Sequence, residues 1–181
     1  MSALTWAVAA VVLDDAGRVL LCRQGRGTRR HALPGGRLRP AESPARAAVR
    51  HVRAETGWDI TVIDLVGVYH LTGPAGGTRA GRAGPLPDVL VHVFRARAAD
   101  PGPSADPSPD CRLSWHSPAA LPEAVTPLTR AAVVDAAAGH SGVLREVPWS
   151  TGATGTGGAA PTGARQPPAQ RGETEDPSVR R

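Results

Sequence analysis

Two stretches of apolar and β-branched residues open the chain, Thr5 to Leu13 (TWAVAAVVL) and Val19 to Arg23 (VLLCR). The polar insert between them, Asp14-Asp15-Ala16-Gly17-Arg18, is a turn sequence with Gly where a positive φ is tolerated, so the pattern predicts a β-hairpin. The periodicity then changes. Ala45, Ala48, Val49 and Val52 recur at i, i+3, i+4 and i+7, the spacing of one buried helical stripe. Ser43 suits the N-cap, Pro44 the first helical position, and Gly57 a left-handed stop, which predicts a helix of roughly three turns.

Downstream, Asp59 to Tyr69 (DITVIDLVGVY) alternates as a strand or a bent pair of strands, and Val89 to Ala96 (VLVHVFRA) is the clearest strand in the chain. Residues 111 to 122 (CRLSWHSPAALP) read as a strand followed by a Ser-Pro helix start, and Pro127 to Ala138 as an Ala-rich helix stopped by Gly139. Thr72 to Asp88 and Asp100 to Asp110, rich in Gly, Pro, Ser and Asp, are loops. The first of these is expected on the substrate side of the fold, because a loop of that length without structure of its own is unusual unless functional. From about Gly142 aliphatic residues thin out. Such a segment buries too little apolar area to offset its ordering entropy, so residues 141–181 are expected to be a disordered tail behind one domain spanning 1–140.

The chemistry concentrates between Gly35 and Trp58. A Gly turn leads into the predicted helix; Glu42 and Arg50 bracket the helix start and are placed to pair, while His51 and Glu55, four residues apart, share a face with Ala54 beside them. Gly36, Glu42, Arg50, Val52, Glu55 and Gly57, with Trp58 in the last apolar place, resemble the Nudix box: Gly, five residues, Glu, seven residues, then Arg-Glu-apolar-any-Glu-Glu-any-Gly-apolar. The resemblance implies an α/β Nudix fold, a mixed β-sheet sandwiched between helices (α/β/α), extending over residues 5–138. It also implies hydrolysis, with Mg²⁺ or Mn²⁺, of a nucleoside diphosphate linked to another moiety. By the same resemblance Glu55 is a metal ligand and catalytic residue, the Gly35 carbonyl a further ligand, and Glu42 with Arg50 the structural ion pair of the box.

Two box carboxylates are replaced. His51 stands where the pattern has the Glu after Arg, and Ala54 where it has the first Glu of the pair. Hard cations such as Mg²⁺ prefer oxygen ligands, whereas imidazole suits softer metals. His51 is therefore expected either as an unusual ligand or general base of a weakened pyrophosphohydrolase, or as the mark of a catalytically inactive Nudix-like nucleotide-binding or regulatory protein. Arg112 stands where relatives frequently carry a Glu ahead of Trp115, which leaves Asp106 or Asp110 as substitutes from the late loop.

Composition changes the picture in three ways. Every basic residue is Arg, and Arg23, Arg26, Arg29, Arg30, Arg37 and Arg39 fall in a stretch without an acid; Arg23 and Arg37 are the candidates for substrate phosphate. The net charge of +5 favours an anionic small molecule, while 3% aromatic content offers no stacking platform for nucleic acid. Cys22 and Cys111 are too few for a disulfide framework or a zinc site, so a reducing cytoplasm is expected, and no apolar run approaches a membrane span.

Overall fold

The computed structural model describes residues 4–24, 30–72, 88–99 and 102–148. In chain order these form β1 (Thr5–Leu13), β2 (Val19–Gln24), β3 (His31–Ala32), β4 (Gly35–Arg37), α1 (Pro44–Thr56), β5 (Ile60–Thr72), β6 (Val89–Ala98), β7 (Cys111–His116), α2 (Pro127–Ala137) and β8 (Val143–Pro148). A short 3₁₀ turn at Pro118–Ala120 precedes α2. The strands make one mixed sheet in the order β3-β2-β1-β6-β5-β8, with β4 pairing β1 and β7 pairing β2. β1 runs parallel to β6 along its whole length, and β6 antiparallel to β5.

The alternation of β1 decides where the helices go. Val8, Ala10 and Val12 turn to one face and pack with Ala47, Ala48 and Val52 of α1. Ala9 and Val11 turn to the other, against Ala132, Val133 and Ala136 of α2. Both faces of the central strands are thereby buried, each fully buried Val or Leu contributing about 1.5–3 kcal/mol. This is the helix–sheet–helix layering the sequence predicts.

The hairpin is formed as expected: Gly17 takes φ +70°, and Asp14 accepts from both the backbone and the side chain of Arg18. β5 is one strand, with register shifts between Val62 and Asp64 and between Leu65 and Gly67 supplying the bend. The stripe of α1 is rotated from its expected position. Ala47, Ala48, Val52 and Thr56 are buried, whereas Ala45 and Val49 line a shallow hollow with Val62.

Two expectations are corrected. Residues 143–148, assigned on composition to the tail, form β8 and pair in parallel with β5, so the folded unit continues past 140. The strand is held by Arg145, which reaches the buried Asp135 of α2 at 2.6 Å. Cys22 and Cys111, expected as thiols, are joined as a disulfide, their Cα atoms 5.5 Å apart. They become neighbours because Cys22 faces Leu113 and Gln24 faces Cys111 across the β2–β7 pair. The substrate-side loop, much of the Arg-rich loop, Asp100 and the tail beyond 148 lie outside the described residues. Among the described residues no helix is long and apolar enough to cross a membrane.

Candidate active site

The site begins with the caps of α1. Ser43 accepts from the backbone of Arg46, Pro44 occupies the first turn, and Gly57 ends the helix at φ +74° with its N–H on the Arg53 carbonyl. Gly57 has a second constraint. A Cβ there would collide with the carbonyl of Ala105, because the loop of residues 102–110 folds over the helix end. Ser104 and Ala105 donate their N–H groups to the Gly57 carbonyl, and Ser108 donates to that of Glu55. The late loop thus satisfies carbonyls that a helix terminus would leave without partners.

At the other end, Glu42 takes two hydrogen bonds from Arg50, Nε at 2.7 Å and Nη2 at 2.6 Å, and one from the backbone of Arg39. The Arg50 fork is the main reason the Glu42 carboxyl is held down to about 2, against a smaller opposing effect of burial. The expected ion pair is therefore formed, and it pins the turn of residues 37–42 to the helix.

Glu55 lies in the opposite environment. Its side chain is 25% exposed, and loss of hydration pushes its carboxyl up to about 7, partly offset by a hydrogen bond from the Gly35 backbone. Gly35 and Glu55 are thus joined through the glycine N–H, whereas the box resemblance places the Gly35 carbonyl beside Glu55 as a metal ligand. His51 sits one turn back, its Nδ1 3.9 Å from Glu55 Oε1. Its Nε2 lies 2.9 Å from the Arg37 carbonyl. A carbonyl only accepts, so this contact puts a proton on Nε2, and in the neutral ring the Nδ1 lone pair is then on the side of Glu55. The ring packs flat against Gly36, where any Cβ would overlap it. Ala54 is exposed beside them.

Other predicted residues are placed elsewhere. Arg37 is exposed on β4 and contributes its carbonyl to His51 and Arg50. Arg23 stands on β2, opposite His31 on one side and Arg112 on the other. Asp106 and Asp110 are exposed, and among the described residues no three His, Cys, Asp or Glu side chains converge on a common point. His92 is packed under Trp6, ring centroids 5.5 Å apart.

One polar cluster has no counterpart in the sequence reading. Asp135 is buried in α2 and accepts from Tyr69, Arg145 and His140. Burial pushes its carboxyl up, yet these hydrogen bonds outweigh burial and hold it below the ordinary value. An Asp in an Ala-rich helix reads as solvent-facing; the informative signal was its place three residues after Ala132 and two after Val133, on the edge of the buried stripe.

Against known proteins, the NUDIX domain family model matches residues 3–136. The chain is 32% identical over 130 residues to a MutT-like protein of Streptomyces ambofaciens, covering 71% of this chain and 74% of that protein. Among solved structures it resembles a NUDIX hydrolase from Nitrosomonas europaea with a TM-score of 0.61 and 28% identity, covering 77% of this chain and 93% of that one. A MutT NUDIX hydrolase from Burkholderia pseudomallei superposes with a TM-score of 0.60 at 26% identity, over 74% of this chain and 98% of that one.

Proposed function

The chain belongs to the NUDIX domain family, and on that premise we propose that it hydrolyses a nucleoside diphosphate linked to another moiety, with Mg²⁺ or Mn²⁺ held at Glu55. The observation that carries this reading is the state of Glu55. It is a poorly hydrated carboxyl with a pKa of about 7, tethered to the Gly turn and facing the free nitrogen of His51.

The donors fit a divalent cation that completes its shell with substrate and water oxygens. Glu55 offers the carboxylate, His51 the Nδ1 lone pair, and the Gly35 carbonyl is the proposed main-chain ligand; Glu42 is committed to Arg50. Of the two metals, Mn²⁺ accepts imidazole more readily. A bound cation supplies charge neutralisation on the phosphates and an acidified water.

The remaining work falls to the protein. With a cation on the Glu55 carboxylate, whose pKa near 7 belongs to the metal-free protein, His51 Nδ1 would either complete the shell or, where it stays free, take the proton from the attacking water. Glu42 and Arg50 fix the turn that carries Gly35 and Gly36, so the two side chains keep their separation. Arg23 and Arg37 are proposed to receive substrate phosphate. The test is Mn²⁺-dependent release of a nucleoside monophosphate from a panel of diphosphate compounds, abolished in Glu55→Gln; silence of the wild type across that panel with either metal refutes the reading.

A second reading, a nucleotide binder that keeps the fold without the chemistry, is favoured by one observation: among the described residues Glu55 belongs to no group of three or more His, Cys, Asp or Glu side chains that could hold a metal. His51→Glu separates the two. Activity that appears only in this variant identifies the native chain as a binder.

A further inference from the structure

The register of β2 sets two arginines side by side. Arg23 is directly opposite Arg112 on β7, and on its other edge opposite His31 of β3, so the three form one row across the strands and share a face of the sheet. By the alternation of β2 that face is the one of Val19 and Leu21, which pack in the α2 cluster. His116, two steps further along the same face of β7, brings its ring within 5.5 Å of His31. Like charges directly opposite in a strand pair destabilise it unless a counter-charge lies between them. Arg18, Arg50, Arg53, Arg95 and Arg145 form ion pairs with carboxylates, whereas Arg23 and Arg112 are in none of these pairs. His31 Nδ1 is buried without a hydrogen-bond partner. Two guanidinium groups opposite one another and a buried imidazole nitrogen without a partner make a receptor for an anion.

We propose that Arg23, Arg112 and His31, with His116 beside them, bind a phosphate group carried by the part of the substrate remote from the bond that is cleaved. That identification of the ligand as a substrate moiety rests on the hydrolase reading; the anion site itself does not. His31 is four residues before Gly35, so the His31 end of the row lies within about 13 Å of the Gly turn, the reach of a nucleotide derivative. The planar forks of two arginines set against one face select a doubly charged, tetrahedral group over a neutral base.

Inorganic phosphate is the probe, titrated calorimetrically and by thermal shift into the full chain, into Arg23→Gln and Arg112→Gln, and into Arg97→Gln as an exposed basic control on β6. Loss of one charge-assisted contact weakens binding about tenfold or more; the expected result is that loss in both row variants and none in Arg97→Gln. Without phosphate, Arg112→Gln should melt no lower than the wild type, since it relieves a repulsion, whereas a structural arginine would lower the melting temperature when removed. Equal phosphate affinity in all four proteins, or no saturable binding at millimolar phosphate, overturns the proposal. Phosphate bound through Arg112 in a chain that hydrolyses no diphosphate sinks the hydrolase reading alone; hydrolysis with no phosphate held by the row sinks the anion site alone.

Discussion

Replacing Glu55 with Gln should make the protein more stable above neutral pH while removing its activity. Burial raises the folded-state pKa from the ordinary 4.5 to about 7. An acid whose proton is held more tightly in the folded state loses stability as pH rises from its unfolded pKa to its folded one, because the native carboxyl must ionise without adequate hydration. Each tenfold change in proton affinity is worth about 1.4 kcal/mol, so the loss between pH 4.5 and 7 is about 3 kcal/mol. Gln imitates the protonated acid: it stays neutral and still accepts from the Gly35 N–H. The variant should therefore be ahead by less than about 1 kcal/mol at pH 5, close to the unfolded pKa. At pH 8 the variant should be ahead by up to about 3 kcal/mol, roughly 10 °C in melting temperature for a chain of this size. Urea denaturation of both proteins from pH 5 to pH 8.5, read as a difference so that other titrating groups cancel, measures it. Adding Mn²⁺ at pH 8 should recover the gap in the wild type and leave the variant unmoved. A difference that does not change with pH, or a variant less stable than the wild type at pH 8, refutes the argument that Glu55 is destabilised by desolvation.

Gly36→Ala puts a methyl group into the His51 ring; the fold should hold, since the ring can swing outward, while turnover falls by about tenfold or more through the displaced acceptor, a kcat measurement on the folded variant. Gly57→Ala meets both a left-handed φ of +74° and the Ala105 carbonyl, so it should cost about 2 kcal/mol or more in urea denaturation and loosen the 102–110 loop. Asp135→Asn removes the charge that Arg145 reaches at 2.6 Å, and with Arg145 half exposed the loss should be about 2 kcal/mol, accompanied by faster amide exchange in residues 143–148.

What the sequence makes legible is what depends on neighbours in the chain. The caps of α1, the Glu42–Arg50 pair and the shared face of His51 and Glu55 follow from offsets of three to eight residues along one helix and its entry turn, and all three are present. What it hides depends on register between distant strands. β8 is a Val-Leu-Arg-Glu-Val-Pro segment amid Gly, Thr and Ala, and it is a strand because β5 offers it an edge and Asp135 offers Arg145 a partner. The Cys22–Cys111 link and the Arg23–Arg112 row both exist only because β2 and β7 pair in one particular alignment, across 89 residues of sequence in the case of the cysteines. A shift of that pairing by one residue would turn both sets to the opposite faces.

The two glutamates of the Gly35–Trp58 segment show how one short helix and its entry turn put two carboxylates into opposite electrostatic states. Glu42 has a bidentate arginine and a backbone donor, so its charge is permanent at any physiological pH and can carry a fixed electrostatic load. Glu55 has one backbone donor and little water, so its proton is exchangeable near neutrality. Nothing in the identity of the residues distinguishes them; the difference lies in Arg50, which faces one and not the other, and in the loop of residues 102–110, which closes over the helix end that carries Glu55. Moving that arginine's charge toward Glu55 would lower its pKa and leave it a fixed anion with no proton to exchange near neutral pH, as a divalent cation held there would also do.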